Sequence, residues 1–267
     1  MYDKDNNLVL YACGKNQEEF IAPDFVSGVG SYAFYNCSNI KKVTLGGGVK
    51  VIGYDAFGYC DKLTTVNLTE GLERINARAF YRCYSLTDVN FPQTLTYFGD
   101  AVFYECKKLD KVYLPNGITK ISNMTFFNCY SLYTIWSPQT LNSIGESAFY
   151  GCIGLKDITM PQGLKEIGHS AFYGCTNLGV LNLTNTKVIH HYAFYNCSSL
   201  KKVVIPKSVT TIYPYAFVKC STLEEFSFEK ADGWLRNSEP FDTSIDTPPY
   251  MAILIKDAYS DSLFQNV

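Results

Sequence analysis

With 267 residues, a net charge of −2 and acids and bases interspersed, the chain has no basic stripe of the kind that nucleic acid or an anionic membrane surface requires. It has no run of 18 apolar residues, which excludes a helical membrane span, and no charged, apolar, small-residue leader at Met1, so it reads as a soluble chain whose N-terminus leaves the compartment open. The compositional oddities are 10 cysteines and 21 tyrosines.

Residues 1–24 read as a worn repeat and an N-terminal cap, with Val9-Leu10-Tyr11 and Phe20-Ile21 as two short strands joined through Gly14. Residues 25–228 hold about nine repeats. Cys37, Cys60, Cys83, Cys106, Cys129, Cys152, Cys175, Cys197 and Cys220 follow one another at steps of 23 residues, with a single step of 22. Such a period marks a solenoid rather than a globular domain. A phenylalanine stands three residues before each of these cysteines, from Phe34 to Phe217. A branched apolar residue follows each by three, and a second apolar residue, such as Val43, Val112, Ile135, Ile158 or Phe226, by six. The alternation around the latter predicts a short strand with one buried face.

One such unit has a single apolar face and nothing to close it, so stacking must supply the second layer. Each strand then pairs in parallel with its copy about 4.8 Å away, making a concave sheet. Proline after most strands ends the ladder, and the Ile-Gly before the next Phe suits a tight corner. The AFxxC stretch is expected to form a short helical turn on the convex side. The 22-residue unit replaces a five-residue corner by Thr184-Asn185-Thr186-Lys187, which predicts a local kink. Residues 229–267 read as a C-terminal cap, with a strand at Met251–Ile255 and a helical turn over Ala258–Gln265.

The nine repeat cysteines share one structural position. Parallel Cβ vectors about 4.8 Å apart miss the roughly 3.5–4.5 Å separation that a bridge requires, so Cys37 to Cys220 are expected as buried free thiols acting as small hydrophobes. Only Cys13 is off register. No CxxC pair or ligand spacing points to a metal, and no cofactor is expected. Neither GxSxG, HExxH, a phosphate-cradling glycine loop nor a calcium loop occurs. His169, His190 and His191 all fall in the corner before AFxxC and read as repeat variation. The tyrosines after the repeat Phe, such as Tyr81, Tyr104 and Tyr150, are expected to cover neighbouring repeats on the convex side.

The outward strand positions change from repeat to repeat. Among them Tyr113 and Trp136 fall at the same place in adjacent repeats, with Lys111 beside Tyr113 and Tyr133 beside Trp136. These four form the candidate binding patch, because exposed Trp and Tyr anchor interfaces and stack on sugars. A one-residue slip would instead bury Trp136 and expose Ser137.

The pattern IGxxAFxxCxxLxxVxLPxxL, as in Ile144 to Leu164, resembles the BspA-like leucine-rich repeat family over about residues 20–228. The tail Phe228 to Trp234, followed by Asp257-Ala258-Tyr259, is similar to the C-terminal cap of its bacterial members. Thr125 and Val102 for the usual Ala, and Ser137 for a core residue, are mild departures. The resemblance implies a right-handed solenoid and a secreted or surface location. It also implies adhesion to host proteins or other cells, and the chain is read as a monomeric, non-enzymatic protein that binds a protein or glycan partner through the concave face, host extracellular matrix among the candidates. A structural spacer presenting other domains and an unrecognised hydrolase are the competing readings.

Overall fold

The computed structural model describes residues 1–11, 13 and 17–230, together with the backbone of strands Trp234–Arg236, Glu239–Phe241 and Phe264–Asn266. Each repeat is one coil of a parallel β-solenoid, in most cases with two strands and one run of turns. The longer strands form one ladder, in which Lys42–Thr44 pairs in parallel with Thr65–Asn67 and Val43 lies opposite Val66. The shorter ones form a second, as where Val51–Ile52 pairs with Arg74–Ile75. The buried member of each strand, Val43 or Ile52, is wholly enclosed.

The stretch expected as a helical turn is not helical. The residues two before and two after each repeat Phe adopt left-handed backbone conformations, as in Arg78 (φ 60°) and Arg82 (φ 57°), or Met124 (φ 54°) and Asn128 (φ 54°). A helix sends each N–H to the carbonyl four residues back. Here alternate N–H groups leave the coil: Arg78 N donates to Asp100 O at 2.9 Å, Phe80 N to Val102 O at 2.9 Å and Arg82 N to Tyr104 O at 2.8 Å. This is a third inter-coil ladder. Each left-handed residue costs roughly 1–2 kcal/mol, offset by inter-coil hydrogen bonds worth about 0.5–1.5 kcal/mol each.

The core is columnar. Phe34, Phe57, Phe80, Phe103, Phe126, Phe149, Phe172, Phe194 and Phe217 are fully buried and stack ring on ring, with centroids 4.7 Å apart at Phe34–Phe57 and 5.2 Å at Phe57–Phe80. Outside them a second column runs Tyr81, Tyr104, Phe127, Tyr150, Tyr173, Tyr195, with centroids 4.6–4.8 Å apart. The tyrosines do cover their neighbours.

Eight cysteines are buried free thiols. Each reaches back across one coil: Cys83 Sγ donates to Phe57 O at 3.1 Å, and Phe57 O also accepts Cys60 N at 3.2 Å. The ninth is a correction, because Cys37 is bonded to Cys13 with a Cα separation of 5.4 Å. Equivalent cysteines cannot pair, but Cys13 precedes by one residue the position equivalent to Cys37, which is Gly14. Its side chain therefore leaves the backbone in another direction. Closing this loop of 24 residues contributes roughly 3–4 kcal/mol. The first coil is a real one: Tyr11 takes the Phe place, its N–H donating to Ala33 O at 2.8 Å and its ring lying 4.6 Å from that of Phe34. Its strands are Asn7–Leu8 and Glu19–Ile21, while Val9 and Leu10 are exposed.

Two irregularities interrupt the strand ladders. Both lapse after the coil of Asp88–Asn90 and Tyr97–Phe98, which carries Phe91, Phe98 and the buried Val102. The next Phe contact, Phe103–Phe126, is the longest of the column at 5.6 Å. In the 22-residue unit no strand forms at 180–182, and Thr186 fills the buried corner place that Leu164 holds one repeat earlier. Its hydroxyl has no partner among the described residues. At the C-terminal end Phe264–Asn266 is a strand, where a helical turn was expected through Gln265. It pairs antiparallel with Thr211–Ile212 and Trp234–Arg236. The expected strand at Met251–Ile255 lies outside the described residues.

Burial pushes the Cys60 and Cys220 thiols up to about 12 from an ordinary 9.0, and raises the other six as well. Above pH 9.0 the unfolded chain loses thiol protons that the folded one keeps. Stability therefore falls with rising pH, by up to about 1.4 kcal/mol per pH unit per thiol. Denaturant titrations between pH 9 and 12 should show thiolate absorbance appearing only together with unfolding; thiolate growing in gradually in the folded protein would contradict the buried ladder. Thr186→Val, which removes the unpartnered hydroxyl at nearly constant volume, should raise stability by about 1–3 kcal/mol, read as the denaturation midpoint.

Candidate functional site

The long-strand face is set by simple alternation. Val112 and Ile135 are fully buried, so Lys111 and Tyr113, and Thr134 and Trp136, point the other way. The strands pair in register, Tyr113 opposite Trp136. Tyr113 is 54% exposed, Trp136 40% and Tyr133 47%; Lys111 is exposed too. The one-residue slip does not occur. Ser137 is half-buried, and its Oγ lacks a partner among the described residues.

The Tyr113 and Trp136 rings stack face to face, with centroids 4.0 Å apart and planes 3° apart. This geometry limits what they can do. The facing π-surfaces are spent on each other, so the pair presents ring edges and two outer faces, not one broad platform. The stack also fixes both rotamers, which lowers the ordering cost of binding. Along the first outward row the register runs Lys111, Thr134, Asp157, placing opposite charges on either side of the aromatic strand. Beside it the Lys156 ammonium stands 5.9 Å from the Tyr133 ring centre.

The three histidines, read as repeat variation, come together. His169 and His191 are 22 residues apart, one short repeat, so the sequence did carry this signal. A groove of about 280 Å³ is lined by Lys120, Glu146, Glu166, His169 and His190. His190 Nε2 lies 2.7 Å from Glu166 Oε1, and Tyr213 stacks on the His190 ring at 5.1 Å. Burial, then His169 and His190, hold His191 below the ordinary imidazole value. A carboxylate orienting an imidazole is two-thirds of a hydrolytic triad. No hydroxyl or thiol is hydrogen-bonded to these imidazoles among the described residues. Nor does any group of three or more His, Cys, Asp or Glu there form a metal-holding cluster, and no described helix is long and apolar enough to cross a membrane.

The stacked coils, parallel ladders and repeat phenylalanines define a leucine-rich repeat solenoid. The chain belongs to the BspA type leucine rich repeat family, whose sequence profile matches residues 7–133 and 120–237. Among solved structures it is similar to a leucine rich repeat protein of T. pallidum, at 30% identity and TM-score 0.61, over 67% of this chain and 86% of that one. A leucine-rich repeat protein from Bacteroides ovatus matches at 25% identity and TM-score 0.63, over 79% of this chain but only 60% of its own length. A leucine rich cell surface protein from Faecalibacterium prausnitzii shares the fold at 21% identity and TM-score 0.52, over 86% and 92%. No curated protein sequence matches.

Because Trp136 is half in solvent and packs mainly on Tyr113, Trp136→Ala should cost about 0.5–1.5 kcal/mol, the worth of an aromatic pair. A core Trp would cost about 3–5 kcal/mol, and a loss of that size in chemical denaturation would mean that the residue is structural.

Proposed function

We propose that this is a non-enzymatic, secreted or surface-displayed binding protein that takes a protein partner of a host or another cell on its long-strand face. Tyr113 and Trp136 are the anchors, flanked by Lys111 and Tyr133. The observation that carries the reading is the rigid, exposed aromatic stack on a scaffold whose other outward positions are mostly small, polar or charged. Aromatic side chains in such settings dominate interface energetics. The Cys13–Cys37 bond supports an oxidising, extracytoplasmic compartment, in keeping with the bacterial proteins that share the fold. A spacer has no need of an exposed Trp–Tyr stack. A hydrolase working through a covalent intermediate needs a nucleophile hydrogen-bonded to its base, and no hydroxyl or thiol is hydrogen-bonded to the groove histidines among the described residues.

The test is affinity capture from host extracellular-matrix and cell-surface preparations, with wild type against Trp136→Ala and Tyr113→Ala. Wild type should retain a discrete protein species, and either variant should weaken retention at least tenfold, about 1.4 kcal/mol, while melting close to wild type. Retention that ignores both substitutions, or no retained species, would favour the spacer.

A further inference from the structure

Beside the aromatic pair, the long-strand face opens into a cleft of about 480 Å³, within the roughly 300–1,000 Å³ range of small-molecule sites. One absent side chain makes room for it. The position four residues after the repeat cysteine carries a side chain in eight repeats, Tyr133, Lys156 and Lys201 among them, and is Gly179 in the ninth. Gly154, two residues after its cysteine, also lines the cleft, but a Cβ there would meet the Tyr130 carbonyl at 2.6 Å, so it is glycine for close backbone approach. No strand forms at 180–182, and Val180 stands 68% exposed at the outward position where the neighbouring repeats place Asp157 and Lys202.

Gly179 has no backbone need to be glycine. Its φ is not in the left-handed region, and a Cβ there would meet nothing nearer than Asn177 O at 4.0 Å. The repeat thus tolerates a side chain at a position where this chain has none, and the space is left open.

We propose that this cleft holds a neutral, hydroxyl-rich ring: one saccharide unit of a glycan. A sugar ring has an apolar C–H face and a rim of hydroxyls that both donate and accept. The cleft offers an apolar wall of Tyr133 and Val180, and Lys156, Asp157, Asn177 and Ser199 as mixed donors and acceptors. Lys156 and Asp157 cancel in charge, which disfavours a phosphate, sulfate or carboxylate as the principal contact. Tyr133 has no face-to-face ring partner among the described residues; the Lys156 ammonium stands 5.9 Å from its ring centre, and with 47% of the residue exposed it still has ring surface to offer. The subsite touches the proposed partner surface only at Tyr133 and goes beyond that reading.

The probe is an array of immobilised neutral and acidic oligosaccharides, followed by saturation-transfer NMR with the best neutral binder. Wild type should bind at least one neutral oligosaccharide. Gly179→Lys, which restores the residue type of the repeats on either side, should lower affinity tenfold or more with an unchanged melting temperature, whereas Gly179→Ala, too small to fill the cleft, should not. Asn177→Ala, which keeps the cleft open but removes a polar partner, should also weaken binding. No binding, binding of acidic glycans only, or equal binding by wild type and Gly179→Lys would overturn the proposal. Trp136-dependent capture of a protein with no array binding would remove the saccharide subsite and leave the proposed function standing.

Discussion

The fold depends on one requirement: no coil can satisfy its own turn backbone or bury its own phenylalanine. Around Phe80, alternate N–H groups go to the next coil, and the Phe80 carbonyl receives both the Cys83 N–H and the Cys106 thiol. The phenylalanine rings stack along the same axis. Backbone, thiol and ring therefore all demand a neighbour at the same spacing, and the left-handed residues that break any helix are the means by which N–H groups turn outward. The ends of the stack meet the same demand in different ways. The first coil is tied by Cys13–Cys37, and the last parallel strand of the short-strand ladder, Thr211–Ile212, is closed by an antiparallel one.

Such a scaffold leaves outward side chains free to vary, and its irregularities frame the part that differs most. The three-stranded segment of Lys111–Tyr113, Thr134–Trp136 and Asp157–Ile158 lies between two lapses. On one side Phe91, Phe98 and Val102 crowd a coil. On the other, the shortened repeat loses its strand and opens a cleft at Gly179. The aromatic stack lies within this window and the cleft at its border with the shortened repeat.

The second face carries a different combination. His190, Glu166 and Tyr213 form a bonded and stacked set at a groove lined by residues of successive corners. These residues look unremarkable one at a time. They matter as a group only because a repeat places the corner of each coil directly over the last.

The repeat period alone determined the coil, the register of the longer strands and the inward columns; the second ladder, at Val51–Ile52 and its copies, falls where the sequence suggests only a tight corner. In a solenoid, equal spacing in sequence becomes adjacency in space, so Phe57 over Phe80 and Tyr113 beside Trp136 could be read directly. The tertiary structure decided what depends on direction rather than spacing. It set the turn that replaced the expected helix, since N–H orientation follows φ and not residue type, and it paired Cys13 with Cys37, since a one-residue offset changes where a side chain points. It also turned the two exposed rings face to face, and it opened the cleft at Gly179, because an absent side chain becomes a site only once the surrounding coils have built its walls.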